Sequence, residues 1–288
     1  MCPSARQGVS QESWKVKLSH GKKSLYIKHC NCIILCYFLG RFCIKCVERN
    51  KMFDITLKIG TSMMLAGPSS CGKSSFVKNL ITTRHLMFGR PSLNVYIVCS
   101  NVQDIYEDMV KSGDVKEIFY KMPSKNEILQ IAKSGRRNGT ILILDDILSE
   151  IAKNNILLQQ IFTEMAHHQN LSVVICVQNL FYQNGIFRNL SLNSGYIVPF
   201  KNPRDMKQIN FLAYQAYASN PKLAIKAYKN ATYEPFSYLL MDFTQTCPDY
   251  LRLRTDIFPE AIDDYPPAVY LPNDEHEDEP ASKRRKLY

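Results

Sequence analysis

Residues Gly67-Pro68-Ser69-Ser70-Cys71-Gly72-Lys73-Ser74 fit G-x-x-x-x-G-K-[ST] at every fixed position, the pattern of a loop that wraps phosphate groups. The chemistry follows from the residue types. Glycines let successive backbone N–H groups turn inward around anionic oxygens. The helix expected to start at Lys73 adds partial positive charge at its N-terminus. Lys73 would reach the β- and γ-phosphates of a nucleoside triphosphate, and Ser74 would offer its hydroxyl to Mg²⁺. Ser75 completes the set of loop residues expected to bind the nucleotide.

Two carboxylates, Asp145 and Asp146, close the apolar run Ile141-Leu142-Ile143-Leu144. In a chain with a phosphate loop, such a strand end is where a metal-holding acid belongs. Asp145 is the candidate Mg²⁺ ligand beside Ser74. Asp146 is the candidate for polarising an attacking water. The plain alternative is a strand end whose acids start the next helix. Gln178 and Asn179 end another buried run, 171–177. If that strand lies between the loop strand and the acidic strand, Gln178 emerges beside the terminal phosphate, where an amide can orient water. A simple polar strand cap is the alternative.

These groups need a scaffold. Apolar runs predict strands over 55–59, 63–66, 95–99, 118–121, 141–144, 173–177, 196–200, 238–243 and 251–255. Helical patterns cover 73–86, 105–112, 125–134, part of 148–167, 205–218 and 221–228. Consecutive Ile, Val and Leu point to strands buried on both faces. Strand then helix, repeated, points to an α/β fold with a mainly parallel sheet sandwiched by helices. With the phosphate loop, the fold expected is that of a P-loop NTPase of the RecA-like, additional-strand type.

Composition bounds the class. The 288 residues are 45% hydrophobic and 22% charged, with 12 Gly and 14 Pro, so a core can be buried and collagen-like or fully disordered readings fall away. The longest apolar run, 32–39, is far short of the ~20 residues that a membrane span needs, and no membrane partner is expected. The net charge of +10 divides unevenly: +8 over 1–51, +6 over 52–258 and −4 over 259–288. The central part permits nucleic-acid binding without demanding it.

The chain divides into a basic, Cys-rich N-terminal segment (1–51), a P-loop ATPase domain (52–258) and an acidic tail (259–288). The regular pattern opens at Met52, which leaves open whether 1–51 is native to the folded protein. Of the ten cysteines, five crowd into 30–46, and only Cys43 and Cys46 have zinc-knuckle spacing. Cys71, Cys99, Cys176 and Cys247 sit inside or beside expected core elements and read as buried free thiols in a reducing compartment. The tail is expected to be disordered. Its last cluster, Lys283-Arg284-Arg285-Lys286, has the make-up of a nuclear import signal. A nuclear address is therefore expected, with the virion or cytoplasm as alternatives.

The order of phosphate loop, Asp145-Asp146 and a strand ending in Gln178 resembles the FtsK/HerA superfamily of DNA-pumping ATPases. The blocks His167-His168-Gln169-Asn170, Gln178-Asn179-Leu180-Phe181, Arg188-Asn189-Leu190-Ser191-Leu192-Asn193, Phe200-Lys201-Asn202-Pro203-Arg204-Asp205 and Leu251-Arg252-Leu253-Arg254-Thr255 are more specific. They are similar to the genome packaging ATPases of Maverick/Polinton elements and of poxvirus-type viruses. The resemblance spans 52–259.

It implies ATP hydrolysis that drives double-stranded DNA into a capsid by a homo-oligomeric ring, with capsid or portal-vertex proteins as partners and ATP and Mg²⁺ as cofactors. It also implies an arginine that reaches the neighbouring subunit's γ-phosphate: Arg188 by position, with Arg204 as runner-up and Asn193 in support. Many superfamily members have Glu where this chain has Asp146. DNA-lining loops are expected at 100–104 or 136–140. Two other classes remain. A small-molecule or nucleoside kinase would need an arginine-rich lid, for which Arg136-Arg137 is the candidate. A catalytically silent, domesticated nucleotide-binding protein sits poorly with intact Lys73, Ser74, Asp145, Asp146 and Gln178.

Overall fold

The computed structural model describes residues 24–25, 43–45, 52–90, 92–101, 103–135, 137–147, 155–166, 169–181, 185–258 and 268–270. Its strands are β1 (Ser24–Leu25), β2 (Cys43–Lys45), β3 (Met52–Asp54), β4 (Ser62–Ala66), β5 (Asn94–Cys99), β6 (Glu117–Phe119), β7 (Thr140–Asp145), β8 (Leu171–Val177), β9 (Tyr196–Pro199), β10 (Leu240–Asp242), β11 (Leu253–Thr255) and β12 (Ala268–Tyr270). The helices are α1 (Lys73–Thr82), α2 (Arg84–Met87), α3 (Asp104–Lys111), α4 (Lys125–Ser134), α5 (Asn155–Gln160), α6 (Gly185–Asn193), α7 (Met206–Ala216) and α8 (Pro221–Ala231). A π-helical turn, Ile161–Met165, follows α5.

Ten strands form one sheet in the order β1-β12-β11-β10-β9-β4-β8-β7-β5-β6. From β9 to β6 every pairing is parallel. From β9 to β1 every pairing is antiparallel. β2 and β3 pair separately. The mainly parallel α/β sandwich expected from the apolar runs is the fold observed. β8 lies between β4 and β7, the additional-strand arrangement.

The core divides along the pleat, because alternate strand residues face opposite sides. Ile141 and Ile143 of β7 and Val174 and Cys176 of β8 pack with Phe76, Val77, Leu80 and Ile81 of α1 and Tyr106 and Met109 of α3. Leu142, Leu144, Val173, Ile175 and Val177 pack on the other face with residues of α4 to α8. Both layers are closed, so β7 and β8 are buried at every residue.

Several boundaries differ from expectation. The stretch 55–59 is not a strand. The Leu57 amide donates to the Met87 carbonyl at 2.7 Å and the Lys58 amide to the Tyr196 hydroxyl at 2.9 Å, so these donors serve a helix end and a side chain rather than a ladder. The helix expected over 73–86 breaks at Thr83, whose hydroxyl donates to the Asn79 carbonyl at 2.6 Å; such back-bonding competes with the helical ladder. A 3₁₀ turn at Asp249–Leu251 shortens the last expected strand to β11. Helix α6 had no counterpart among the expected elements. β12 lies within the segment read as a tail, and β1, its partner, within the basic N-terminal segment.

Candidate functional site

The phosphate loop joins β4 to α1 at the carboxyl edge of the parallel sheet. The Gly67 amide donates to the Val177 carbonyl at 3.1 Å, which ties the loop to the last residue of β8. The next residue of β8's chain, Gln178, therefore leaves the sheet beside Gly67, and it is exposed. On the other side, the Phe200 amide donates to the Ala66 carbonyl at 2.8 Å. A Cβ on Gly67 would come within 2.7 Å of Cys71 Sγ and 2.8 Å of Phe200 Cβ, so no side chain fits. Gly72 has φ 106° and Ser70 φ 59°, the left-handed turns that curl the loop.

α1 has no side-chain cap and no acid in its first turn. Its first backbone bond runs from Phe76 N–H to the Gly72 carbonyl, so the amides of Lys73, Ser74 and Ser75 precede the helical ladder. These amides and the loop form a cradle suited to anionic oxygens. Lys73 Nζ donates to the Gly67 and Pro68 carbonyls at 2.7 and 2.8 Å, which folds its charge over the loop. Burial pushes the neighbouring Cys71 thiol up, against the pull of Lys73.

Asp145 ends β7 opposite Cys99 of β5. Its carboxylate is 5% exposed as part of the residue, and it accepts from the Tyr106 hydroxyl at 2.5 Å and from Gln103 Nε2 at 3.3 Å. Both donors come from the start of α3, the helix that follows β5. Ser74 lies near the Tyr106 hydroxyl and lowers its proton affinity slightly. Burial, then the charge of Asp145, drive the Tyr106 hydroxyl and the Cys176 thiol far above their ordinary values. Asp145 and Tyr106 thus form a buried polar pair between β7 and α3, beside the half-buried Ser74 of the phosphate loop.

Asp146 follows on the surface with φ 51°. Its carbonyl accepts from Ser100 Oγ at 2.7 Å. Ser100 and Gln103, from the segment expected to line DNA, thus bond to the acidic pair. Beyond Gln178, the loop is clamped by Gln208 of α7. The Leu180 amide donates to Gln208 Oε1 at 2.7 Å, while Gln208 Nε2 donates to Asn179 Oδ1 at 3.2 Å and to Asp205 Oδ2 at 2.6 Å.

The structure brings together the loop 67–75, Asp145 and Gln178, with Asp146 at their rim. Arg188 lies exposed on α6, and Arg204 lies exposed in the turn before α7. Among the described residues neither has a carboxylate partner. Asn193 bonds within its own helix, to the Asn189 carbonyl. His167, His168 and Arg136 fall outside the described residues. Among the described residues no three or more His, Cys, Asp or Glu side chains gather around a point. Ser74 and Asp145 offer hard oxygens, which suit Mg²⁺ because that ion takes its other ligands from phosphate and water.

Sequence reasoning missed Tyr106, Gln103 and Gln208. A signal for the first existed: α3 follows β5, and β5 neighbours β7, so an early polar side chain of α3 falls beside Asp145.

No family model matches the chain, and no curated protein matches it. Among solved structures, the genome packaging NTPase B204 of Sulfolobus turreted icosahedral virus 2, in complex with ATPγS, is similar at 14% identity and a TM-score of 0.41, over 64% of this chain and 93% of that one. The DNA-packaging ATPase B204 of Sulfolobus turreted icosahedral virus is similar at 12% identity and a TM-score of 0.42, over 65% and 94%. The cytoplasmic domain of the type VII secretion ATPase EccC of Thermomonospora curvata is similar at 13% identity and a TM-score of 0.46, over 83% of this chain and 30% of that one.

Proposed function

We propose that the chain is an ATP hydrolase that works in a ring and moves double-stranded DNA into a capsid, as the packaging ATPases of Maverick/Polinton elements and poxvirus-type viruses do. The observation that carries the ATPase reading is the strand order β4-β8-β7, with Gly67 bonded to Val177. It gathers a phosphate cradle, a buried carboxylate, a surface carboxylate and an amide at one sheet edge.

In this reading the loop amides and Lys73 grip the phosphates. Mg²⁺, held through Ser74 and Asp145, would neutralise charge on the β- and γ-oxygens. Asp146 accepts a proton from the attacking water. Gln178 orients that water from β8. Arg188, or Arg204 in its place, reaches a neighbouring subunit's γ-phosphate, which its exposure on the surface permits. Duplex DNA, capsid or portal-vertex proteins and the ring itself are the partners, and the nucleus is the proposed compartment, from Lys283-Arg284-Arg285-Lys286.

The test is ATP turnover with and without duplex DNA, then with mixed variants. Lys73→Ala should abolish turnover, and duplex DNA of any sequence should stimulate the wild type. Arg188→Ala and Lys73→Ala, each inactive alone, should recover activity when mixed, because one supplies the intact loop and the other the arginine. Turnover indifferent to DNA would remove the translocase reading and leave an ATPase. A mixture as inactive as its components would remove Arg188 from the neighbour's site.

A further inference from the structure

The site described so far accounts for phosphates, metal and water, and leaves the nucleobase without a seat. Its direction follows from the sheet. The acidic pair on β7 and the amide after β8 lie on one side of β4, so the terminal phosphate points there. The base end must therefore lie toward β9 and β10, on the other side of β4.

On that side the segment 232–239 connects α8 to β10 and crosses the start of α1. A Cβ placed on Gly72 would sit 3.3 Å from both Phe236 Cβ and Phe236 O. Phe236 therefore touches the phosphate loop. It is also 68% exposed, and its backbone has φ 60°, a genuine outlier for a bulky residue. Such a conformation persists only where the surroundings over-determine it, and it concentrates at ligand clamps.

The surroundings here are cross-linked by hydrogen bonds. The Lys201 amide donates to the Ser237 carbonyl at 3.0 Å, and Lys201 Nζ donates to the Tyr233 carbonyl at 2.5 Å. Phe200 and Tyr238 form an antiparallel bridge. Ser237 Oγ donates to the Glu234 carbonyl. Other large exposed apolar side chains, such as Phe211 and Leu192, stand on helices with ordinary backbones.

We propose that Phe236 is the nucleobase platform of this site: an aromatic face, held out at the edge of the phosphate loop, on which the base of a purine nucleotide stacks. The platform presupposes the triphosphate-binding role proposed above. Stacking uses the π-face that every base has, so Phe236 contributes affinity without separating ATP from GTP. Both should lose affinity together when the ring is removed.

The test uses the full chain and two probes, ATP and inorganic tripolyphosphate, with binding read by calorimetry. Phe236→Ala should weaken ATP about tenfold or more and leave tripolyphosphate within about twofold. Phe236→Gly, which accepts the left-handed backbone without strain, should melt no lower than the wild type and still bind ATP as weakly as the Ala variant. Phe236→Tyr should restore ATP binding.

ATP binding by Phe236→Gly at wild-type strength would overturn the platform. So would equal losses for ATP and tripolyphosphate, which would mean a disturbed loop rather than a lost ring. Lys73→Ala serves as the separate control. If it loses both probes while Phe236→Gly loses neither, the platform fails and the phosphate site stands. If it retains both, the phosphate site fails and takes the platform with it.

Discussion

Tyr106 donates its hydroxyl to the Asp145 carboxylate at 2.5 Å across the space between α3 and β7. The two residues are far apart in sequence but adjacent in the sheet's connectivity, because β5 pairs with β7 and α3 continues β5. The bond ties the carboxylate to α3, and the same tyrosine lies near Ser74 of the phosphate loop.

Removing that hydroxyl should therefore change metal use before it changes nucleotide binding. A hydrogen bond to a charged group is worth about 1.5–3 kcal/mol, roughly 10- to 100-fold in an equilibrium. Tyr106→Phe is expected to raise the Mg²⁺ concentration for half-maximal turnover about tenfold or more, with metal-free ATP affinity unchanged. An Mg²⁺ titration of turnover, paired with calorimetry in chelator, checks this. An unchanged titration midpoint would detach Tyr106 from the metal site.

The backbone explains why an aspartate stands at 146. At φ 51° a left-handed residue is costly, and Asp and Asn bear it better than longer side chains because they bond locally. Asp146→Glu, although it installs the residue common in the superfamily resembled, should lower stability by about 1 kcal/mol and slow turnover rather than raise it. Asp146→Asn should keep ATP binding and stability and lose turnover. Thermal melts with single-turnover kinetics separate the two. A faster Glu variant would show that the backbone does not dictate the shorter acid.

Gln208 holds three groups at once, Leu180 N–H, Asn179 Oδ1 and Asp205 Oδ2, just downstream of Gln178. Gln208→Ala is expected to lower kcat about tenfold while ATP affinity stays within about twofold, because it frees the amide's loop and leaves the cradle alone. Gln208→Glu keeps an acceptor for the Leu180 amide but gives up both donated bonds, and it places a second carboxylate beside Asp205. Its kcat should fall further than that of the Ala variant. Equal losses in affinity and rate in both variants would reduce Gln208 to a purely structural role.

The buried thiols set an alkaline limit. Burial, then Asp145, push Cys99 from an ordinary 9.0 up to about 11, and Cys176 is also driven well up, by burial first. Above pH 9 the unfolded chain gives up these protons, whereas the folded chain keeps them up to the higher value. The unfolded state then binds fewer protons, so stability falls as pH rises through that window. Urea midpoints at pH 8 and pH 10.5 should differ more for the wild type than for Cys99→Ala. Parallel behaviour of the two proteins would refute the assignment to Cys99.

The features legible in the sequence are those with a local signature. The glycine-bounded loop, Asp145-Asp146 and the run ending at Gln178 could be found because each ends an apolar strand buried on both faces. Their assembly at one edge followed from placing β8 between β4 and β7. Tyr106 was passed over despite its place early in the helix after β5, because a single tyrosine on an amphipathic helix reads as core, and in burial it is core. The stretch 55–59 misled because Ile55, Leu57 and Ile59 alternate as a strand would, while its amides bond to Met87 O and Tyr196 Oη instead. β12 was missed because prolines surround it and one of its partners, β1, lies near the other end of the chain. Phe236 gave no signal at all. Its significance lies in a backbone angle and in its contact with Gly72, neither of which residue types encode.

One property of the sheet bears on how the protein comes off the ribosome. Met64, beside the phosphate loop, pairs with Ile175 on one flank and Ile197 on the other. The loop's own strand therefore emerges early and waits for both neighbours while more than a hundred further residues are translated. Closing such distant pairings is slow and leaves an apolar segment unaccompanied in the meantime. A nascent chain stalled before Leu171 would carry every residue of the glycine-bounded turn, with its local bonds to Lys73 and Phe76, but without either of the strands that flank it.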